Sequence, residues 1–308
     1  MTTLDPRIYC QLPELLALQH KTRHLSLKPS YRPAGMLAGQ HASKIRGSGL
    51  NFEELRQYQQ GDNVRLIDSR ASARLGKPYV RVYSEETDRP VYLVVDQRSS
   101  MFFGSVKKTK SVVAAELAAS LAWMILANGD RFGGIVVGAQ QSEHISARRS
   151  QQQVLHFLSN LVAANQGLTV EPAQADSSES LLAPLLPWLS SLNNQAVVML
   201  ITDIDGLDQQ DISQLEWLHQ QTNVALFIVA DALEQNLSQA QGLTISQGKQ
   251  QVNLAIDAQS QASFNQQFQA KFKQIQHALG QSVLPIGLLD CEQDIVTQLN
   301  LLLGGQYG

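Results

Sequence analysis

Arg89-Pro90-Val91-Tyr92-Leu93-Val94-Val95-Asp96 decides the fold. The stretch is apolar on both alternating faces and closes on a carboxylate. A strand with one wet face alternates polar and apolar residues, so this one belongs inside a sheet covered on both sides. DRFGGIVVG (130–138), QAVVMLITD (195–203), NVALFIVAD (223–231) and SVLPIGLLD (282–290) read the same way. Between them, helical spacing recurs over 107–128, 151–164, 178–192, 211–221 and 260–279, with a closing helix over 292–303. Strands that alternate with helices predict an α/β fold, a doubly wound and mostly parallel sheet with helices on both faces. In such sheets ligands bind beyond the carboxyl ends of the strands. Asp96, Asp203 and Asp231 each end a strand, and Asp96 and Asp203 mark the edge where function is expected.

Upstream the reading is more varied. Leu12 to Leu25 has amphipathic helical spacing, Lys28 to Ser48 is a Pro-, Gly- and basic-rich arm, Phe52 to Tyr58 begins a short helix, and residues 76–84 alternate as a strand. Residues 243–256 read as a polar hairpin. Residues 1–88 carry too few apolar side chains for a core of their own. The expected organisation is therefore residues 1–88 (helix, basic arm and small β extension) packed on the sheet of residues 89–308.

The 308 residues are 44% hydrophobic and 17% charged, the composition of a globular chain with a sizeable core. The net charge of −3 conceals an asymmetry: up to residue 110, 18 Lys and Arg stand against 10 Asp and Glu, and after it 6 stand against 17. Two surfaces of opposite sign follow, with different partners or packed partly on each other. The longest apolar stretch, Val112 to Ala127, is interrupted by Glu116 and Ser120 and reads as a buried helix, so no integral membrane segment is expected. The first residues, MTTLDPRIYC, lack the basic and apolar regions of a signal peptide. Cys10 and Cys291 are too few for a disulfide framework. The expected location is cytoplasmic, or peripheral to the inner membrane.

After the first strand the chain reads Asp96-Gln97-Arg98-Ser99-Ser100-Met101. An Asp and neighbouring Ser hydroxyls are the hard oxygen ligands that Mg²⁺ takes. With Asp203, and with Thr169 from another loop, this turn resembles the metal-ion-dependent adhesion site of von Willebrand factor type A domains, whose pattern is Asp-x-Ser-x-Ser. Arg98 stands where that pattern has its first Ser. A guanidinium is a permanent cation with donors only and cannot ligate a metal. Turned inward, it supplies the positive charge facing Asp96 or Asp203; turned outward, it leaves Asp96, Ser100 and Asp203 as ligands. The expectation is no metal and no cofactor, with Asp96, Arg98, Ser99, Ser100, Thr169 and Asp203 as a degenerate, partner-binding edge.

The most specific motif lies at Arg46-Gly47-Ser48-Gly49-Leu50-Asn51-Phe52-Glu53-Glu54-Leu55-Arg56-Gln57-Tyr58, continuing through Gly61-Asp62-Asn63-Val64-Arg65-Leu66-Ile67-Asp68-Ser69-Arg70-Ala71-Ser72-Ala73-Arg74. With Tyr79-Val80-Arg81 and Glu85-Glu86 it closely resembles the bacterial domain-of-unknown-function-58 family, a von Willebrand factor A-like group. Asn51 stands where that family has Glu, and Ser69 where it has Trp. The resemblance implies a non-enzymatic adaptor that works with a MoxR-type AAA+ ATPase, and with other von Willebrand factor A proteins, in chaperone-like remodelling or stress response. From the residues alone, Gly61 suits a positive-φ turn, and Asp62, Arg65, Asp68, Arg70 and Arg74 could form a charge-assisted network. That network either staples the basic arm to the sheet or contacts a partner.

Other chemistry is thinly represented. No G-x-x-x-x-G-K-[ST] loop, G-x-S-x-G elbow or H-E-x-x-H pair is present, and His20 and His24 lack a third ligand nearby. A metal-dependent hydrolase would need more His or carboxylate clustering. The alternative to the adaptor is an anion or nucleic-acid binder using the basic N-terminal segment. Against it, Tyr31, Tyr58 and Tyr79 form no stacking platform.

Overall fold

The computed structural model describes residues 4–25, 50–59, 62–85, 89–138, 144–169, 180–235, 243–247, 250–254, 258–279 and 286–303. The chain divides into two compact units, Met1–Tyr31 with Arg89–Gly308, and Arg32–Asp88. The first helix, α1 (Leu12–Lys21), thus groups with the sheet, whereas the sequence reading joins it to the motif segment. The basic arm over 28–48 lies outside the described residues.

The smaller unit holds β1 (Leu50–Gln57), α2 (Ser69–Leu75) and β2 (Tyr79–Glu85). Here the expected helix over Phe52 to Tyr58 is corrected, because the segment is strand β1, paired antiparallel with β2 at Leu55↔Arg81 and Gln57↔Tyr79. Its Glu, Leu, Arg and Gln residues favour a helix weakly, and a partner strand offering backbone hydrogen bonds overrides that preference. Helix α2 stops at Gly76, whose φ of +69° is the left-handed cap that glycine adopts without a Cβ penalty.

The larger unit continues with β3 (Pro90–Gln97), α3 (Lys110–Ala127), β4 (Arg131–Gly138), β5 (His144–Arg148), α4 (Gln151–Gln166), α5 (Leu186–Leu189), β6 (Val197–Thr202) and α6 (Gln209–Gln221). It ends with β7 (Asn223–Ala230), α7 (Ala232–Gln235), the hairpin β8 (Leu243–Gln247) and β9 (Gln250–Leu254), α8 (Ala258–Ala278), β10 (Ile286–Asp290) and α9 (Ile295–Leu302). Six strands form one sheet in the order β10-β7-β6-β3-β4-β5, parallel except for the β4–β5 pair. The helix expected over 178–192 is, among the described residues, a 3₁₀ turn at Ala183–Leu185 followed by α5, because Pro184 and Pro187 cannot supply interior helix hydrogen bonds.

Alternation along β3 feeds two cores. Leu93 and Val95 face α3, α4 and α9 with Ile201, Val229 and Phe132, while Val94 faces α6 and α8 with Ile135, Leu200, Leu226 and Ile228. Helix α3 is 18 residues long with a mean hydropathy of 1.5, long and apolar enough to cross a membrane by those measures. It is also 83% buried inside the molecule, with α1 laid along it and Trp123 Nε1 donating to Leu15 O at 3.2 Å. Truncating a buried contact such as Leu15 to Ala costs about 2–5 kcal/mol, and this packing ties the N-terminal helix to the sheet unit.

Candidate functional site

Parallel pairing aligns the ends of neighbouring strands. Asp96 near the end of β3, Asp203 just after β6 and Asp231 just after β7 therefore reach one edge, and all three are fully buried. Glu234 of α7 joins them. Four carboxylates in a dry site repel each other and lose their hydration, so each needs donors or a cation nearby. The structure supplies two cations, Arg98 and Lys110.

Arg98 turns back onto Asp96 two residues earlier. Its Nε donates to Asp96 Oδ1 at 3.0 Å and its Nη2 to Oδ2 at 2.8 Å, the bidentate geometry of a charge-assisted pair. The Arg98 backbone N–H adds a bond to Oδ1 at 2.9 Å, and Thr202 Oγ1 donates to Oδ2 at 2.7 Å. Arg98 Nη2 also donates to Gly206 O at 2.6 Å. Burial pushes the Asp96 carboxyl upward, and the Arg98 bonds and charge pull against it.

Lys110 opens α3 and is 2% exposed. Its Nζ donates to Asp203 Oδ2 at 2.6 Å and to Glu234 Oε1 at 2.5 Å, and lies 5.8 Å from the centroid of the Phe103 ring. Burial alone would lower the ammonium's pKa, but the fields of Asp203 and Glu234 and their hydrogen bonds outweigh it and hold Lys110 above its ordinary value, fully charged. Asp203 Oδ1 accepts from Gly206 N at 2.6 Å and lies 3.5 Å from Ser100 Oγ. Glu234 Oε2 accepts from Asp231 N at 2.9 Å, while Asp231 accepts from the Ser105 hydroxyl, Ser105 N and Leu233 N.

These residues do not fit the divalent cation that the adhesion-site pattern implies. Asp96 already accepts four bonds on two oxygens, and the positive charge beside it is covalently part of the chain. The space is also closed. A Cβ added at Gly206 would stand 2.5 Å from Asp203 Oδ1, 2.9 Å from Arg98 Nη2 and 3.0 Å from Asp96 Oδ2. Among the described residues no group of three or more His, Cys, Asp or Glu is arranged to hold a metal ion.

Of the other residues singled out in the sequence, Ser99 and Ser100 form the short 3₁₀ turn Ser99–Met101 and are half-buried, and Thr169 is exposed just beyond α4. The motif network is corrected. Asp62 pairs with Arg56 at 2.9 Å and accepts from Gln59 N at 2.7 Å, while Asp68 pairs with Arg81 at 2.7 Å. Arg65, Arg70 and Arg74 are exposed and enter no ion pair among the described residues, and Gly61 lies outside them. The reason is local: Asp68 caps α2 by accepting from Arg70 N and Ala71 N, and its free oxygen faces β2 instead of the arginines of its own helix.

Sequence reasoning missed Lys110, Glu234, Thr202, Ser105 and Gly206. Lys110 carried a usable signal. A cation at a helix N-terminus opposes the helix dipole, so a Lys leading into the sixteen residues Val112 to Ala127, polar only at Glu116 and Ser120, calls for a buried anion.

A family model described as "Protein of unknown function DUF58" matches residues 54–278. The uncharacterized proteins Rv1480 of Mycobacterium tuberculosis and Mb1516 of Mycobacterium bovis are each 32% identical over 130 residues, 42% of this chain and 41% of theirs. The match thus spans about two fifths of the length of these relatives. Among solved structures, the conserved hypothetical protein BatB from Bacteroides thetaiotaomicron aligns at a TM-score of 0.43 and 11% identity, covering 69% of this chain and 94% of that one. An aerotolerance-related membrane protein from Bacteroides fragilis aligns at 0.41 and 12%, covering 69% and 95%.

Proposed function

We propose, from the premise that this chain belongs to the DUF58 family of proteins of unknown function, that it is a non-enzymatic adaptor docking a MoxR-type AAA+ ATPase through its strand-end face. One observation carries the reading: Arg98 on Asp96 and Lys110 on Asp203 engage the charged groups of that edge with each other. Asp96 accepts four hydrogen bonds, and a Lys held charged is neither base nor nucleophile, which supports a role in contact over one in catalysis. What the edge offers outward is contact surface. The loop between β3 and α3 exposes Phe103 and Val106, 39% and 56% accessible, beside exposed Lys107.

In this proposal the sheet is a von Willebrand factor A-like scaffold whose adhesion site works without a metal. Other von Willebrand factor A proteins are further partners, nucleic acid is not one, and the place of action is the cytoplasm or the inner-membrane periphery. The test is binding of the purified chain to the MoxR-type ATPase of the same organism, prepared without nucleotide so that chelation leaves the ATPase unchanged. Binding that persists in EDTA and is lost in Phe103→Ser/Val106→Ser, with an unchanged melting temperature, supports the reading. Binding that needs Mg²⁺, or survives that double change, overturns it.

A further inference from the structure

The opposite end of the sheet carries a second surface. After residue 110 the chain has only 6 Lys and Arg against 17 Asp and Glu, yet three of the six, Arg131, Arg148 and Arg149, gather at the amino-terminal ends of β3 and β4. Arg131 opens β4 and its N–H donates to Arg89 O at 2.9 Å, which brings in a fourth arginine. Arg148 closes the antiparallel strand β5 opposite Phe132, one residue from Arg131. Arg149 folds over the turn at Gly129: a Cβ there would lie 3.2 Å from its Nη2. Arg148 and Arg149 are exposed and in no ion pair among the described residues. Asp130, at the turn before β4, accepts from Arg89 N and from Asn128 Nδ2.

We propose that this arginine cluster is a docking surface for a short acidic protein segment rich in Asp and Glu. Guanidinium forks match carboxylates bidentately, and every cation in the cluster is Arg, none Lys. The patch is local within a unit that is otherwise acidic. Charges more than about 10 Å away are screened at 0.1 M salt, so a short segment meets the arginines while a long polyanion also meets the repelling remainder.

The experiment is fluorescence anisotropy of a labelled octaglutamate peptide with the full chain at 50 mM and 200 mM salt, alongside an oligothymidylate of equal charge. Octaglutamate is expected to bind at low salt and weaken as salt rises. Arg148→Glu with Arg149→Glu should reduce affinity at least tenfold, and Arg148→Gln with Arg149→Gln less but in the same direction. Lys271→Glu with Lys273→Glu, the same charge change on α8, should leave affinity within twofold. The proposal is overturned if octaglutamate does not bind, if the arginine variants bind as the natural chain does, if the α8 control loses as much, or if oligothymidylate binds more tightly.

Discussion

Lys110 Nζ lies 2.6 Å from Asp203 Oδ2, with both side chains closed off from solvent and 93 positions apart in the chain. The pair ties the start of the central helix α3 to the end of strand β6, so the edge that the proposed partner reads is also a structural joint. Replacing Lys110 by Met keeps the volume but leaves Asp203 and Glu234 without their cation. Breaking a buried pair by removing one partner costs about 3–5 kcal/mol. Urea unfolding of Lys110→Met should show a much lower midpoint at unchanged slope; an unchanged midpoint contradicts the assignment.

Gly206 is predicted to tolerate no side chain. The Cβ of Gly206→Ala meets a carboxylate oxygen and a guanidinium nitrogen already held by hydrogen bonds, so neither yields without breaking one. Overpacking of this kind costs about 1–3 kcal/mol, read as a lowered melting temperature.

Cys10 and Cys291 are each 1% exposed, and burial pushes both thiols up to about 12. Thiolate is the reactive form, so neither should react with a disulfide reagent at pH 8 in the native chain. Unfolding in denaturant should release two equivalents. A fast native equivalent would contradict the packing of α1 and of the turn after β10.

In the smaller unit the Asp68 carboxyl is held below its ordinary value of 3.8, first by the Ala71 N–H and then by Arg81. A depressed native pKa means stability that is present above pH 3.8 and lost as pH falls through the native value. Arg81→Leu should raise the Asp68 pKa part of the way to 3.8 in a carboxyl-detected NMR titration. No movement would place the whole effect on the helix cap.

Much of this arrangement was legible in the chain. Unbroken apolar strands ending in Asp96, Asp203 and Asp231 announce a parallel sheet and its carboxylate-bearing edge, and the Ser-to-Arg departure at Arg98 draws attention to the missing ligand. What was not legible depended on contacts distant in sequence. Lys110 finds Asp203 and Glu234 only once α3, β6 and α7 meet, and Asp68 finds Arg81 across a hairpin whose first strand carries helix-favouring residues. Short antiparallel β5 escaped because its five residues hold one buried side chain, Ile145, too little periodicity to read.

The central claim is that chain-borne cations occupy the strand-end edge where the adhesion-site pattern would place a metal. Isothermal titration of Mg²⁺, then Mn²⁺, into the full chain, beside Arg98→Ser, tests it most directly. The natural chain should give only heats of dilution, while Arg98→Ser, with the Asp-x-Ser-x-Ser pattern restored, should show saturable Mg²⁺ binding. Saturable Mg²⁺ binding by the natural chain would contradict the account.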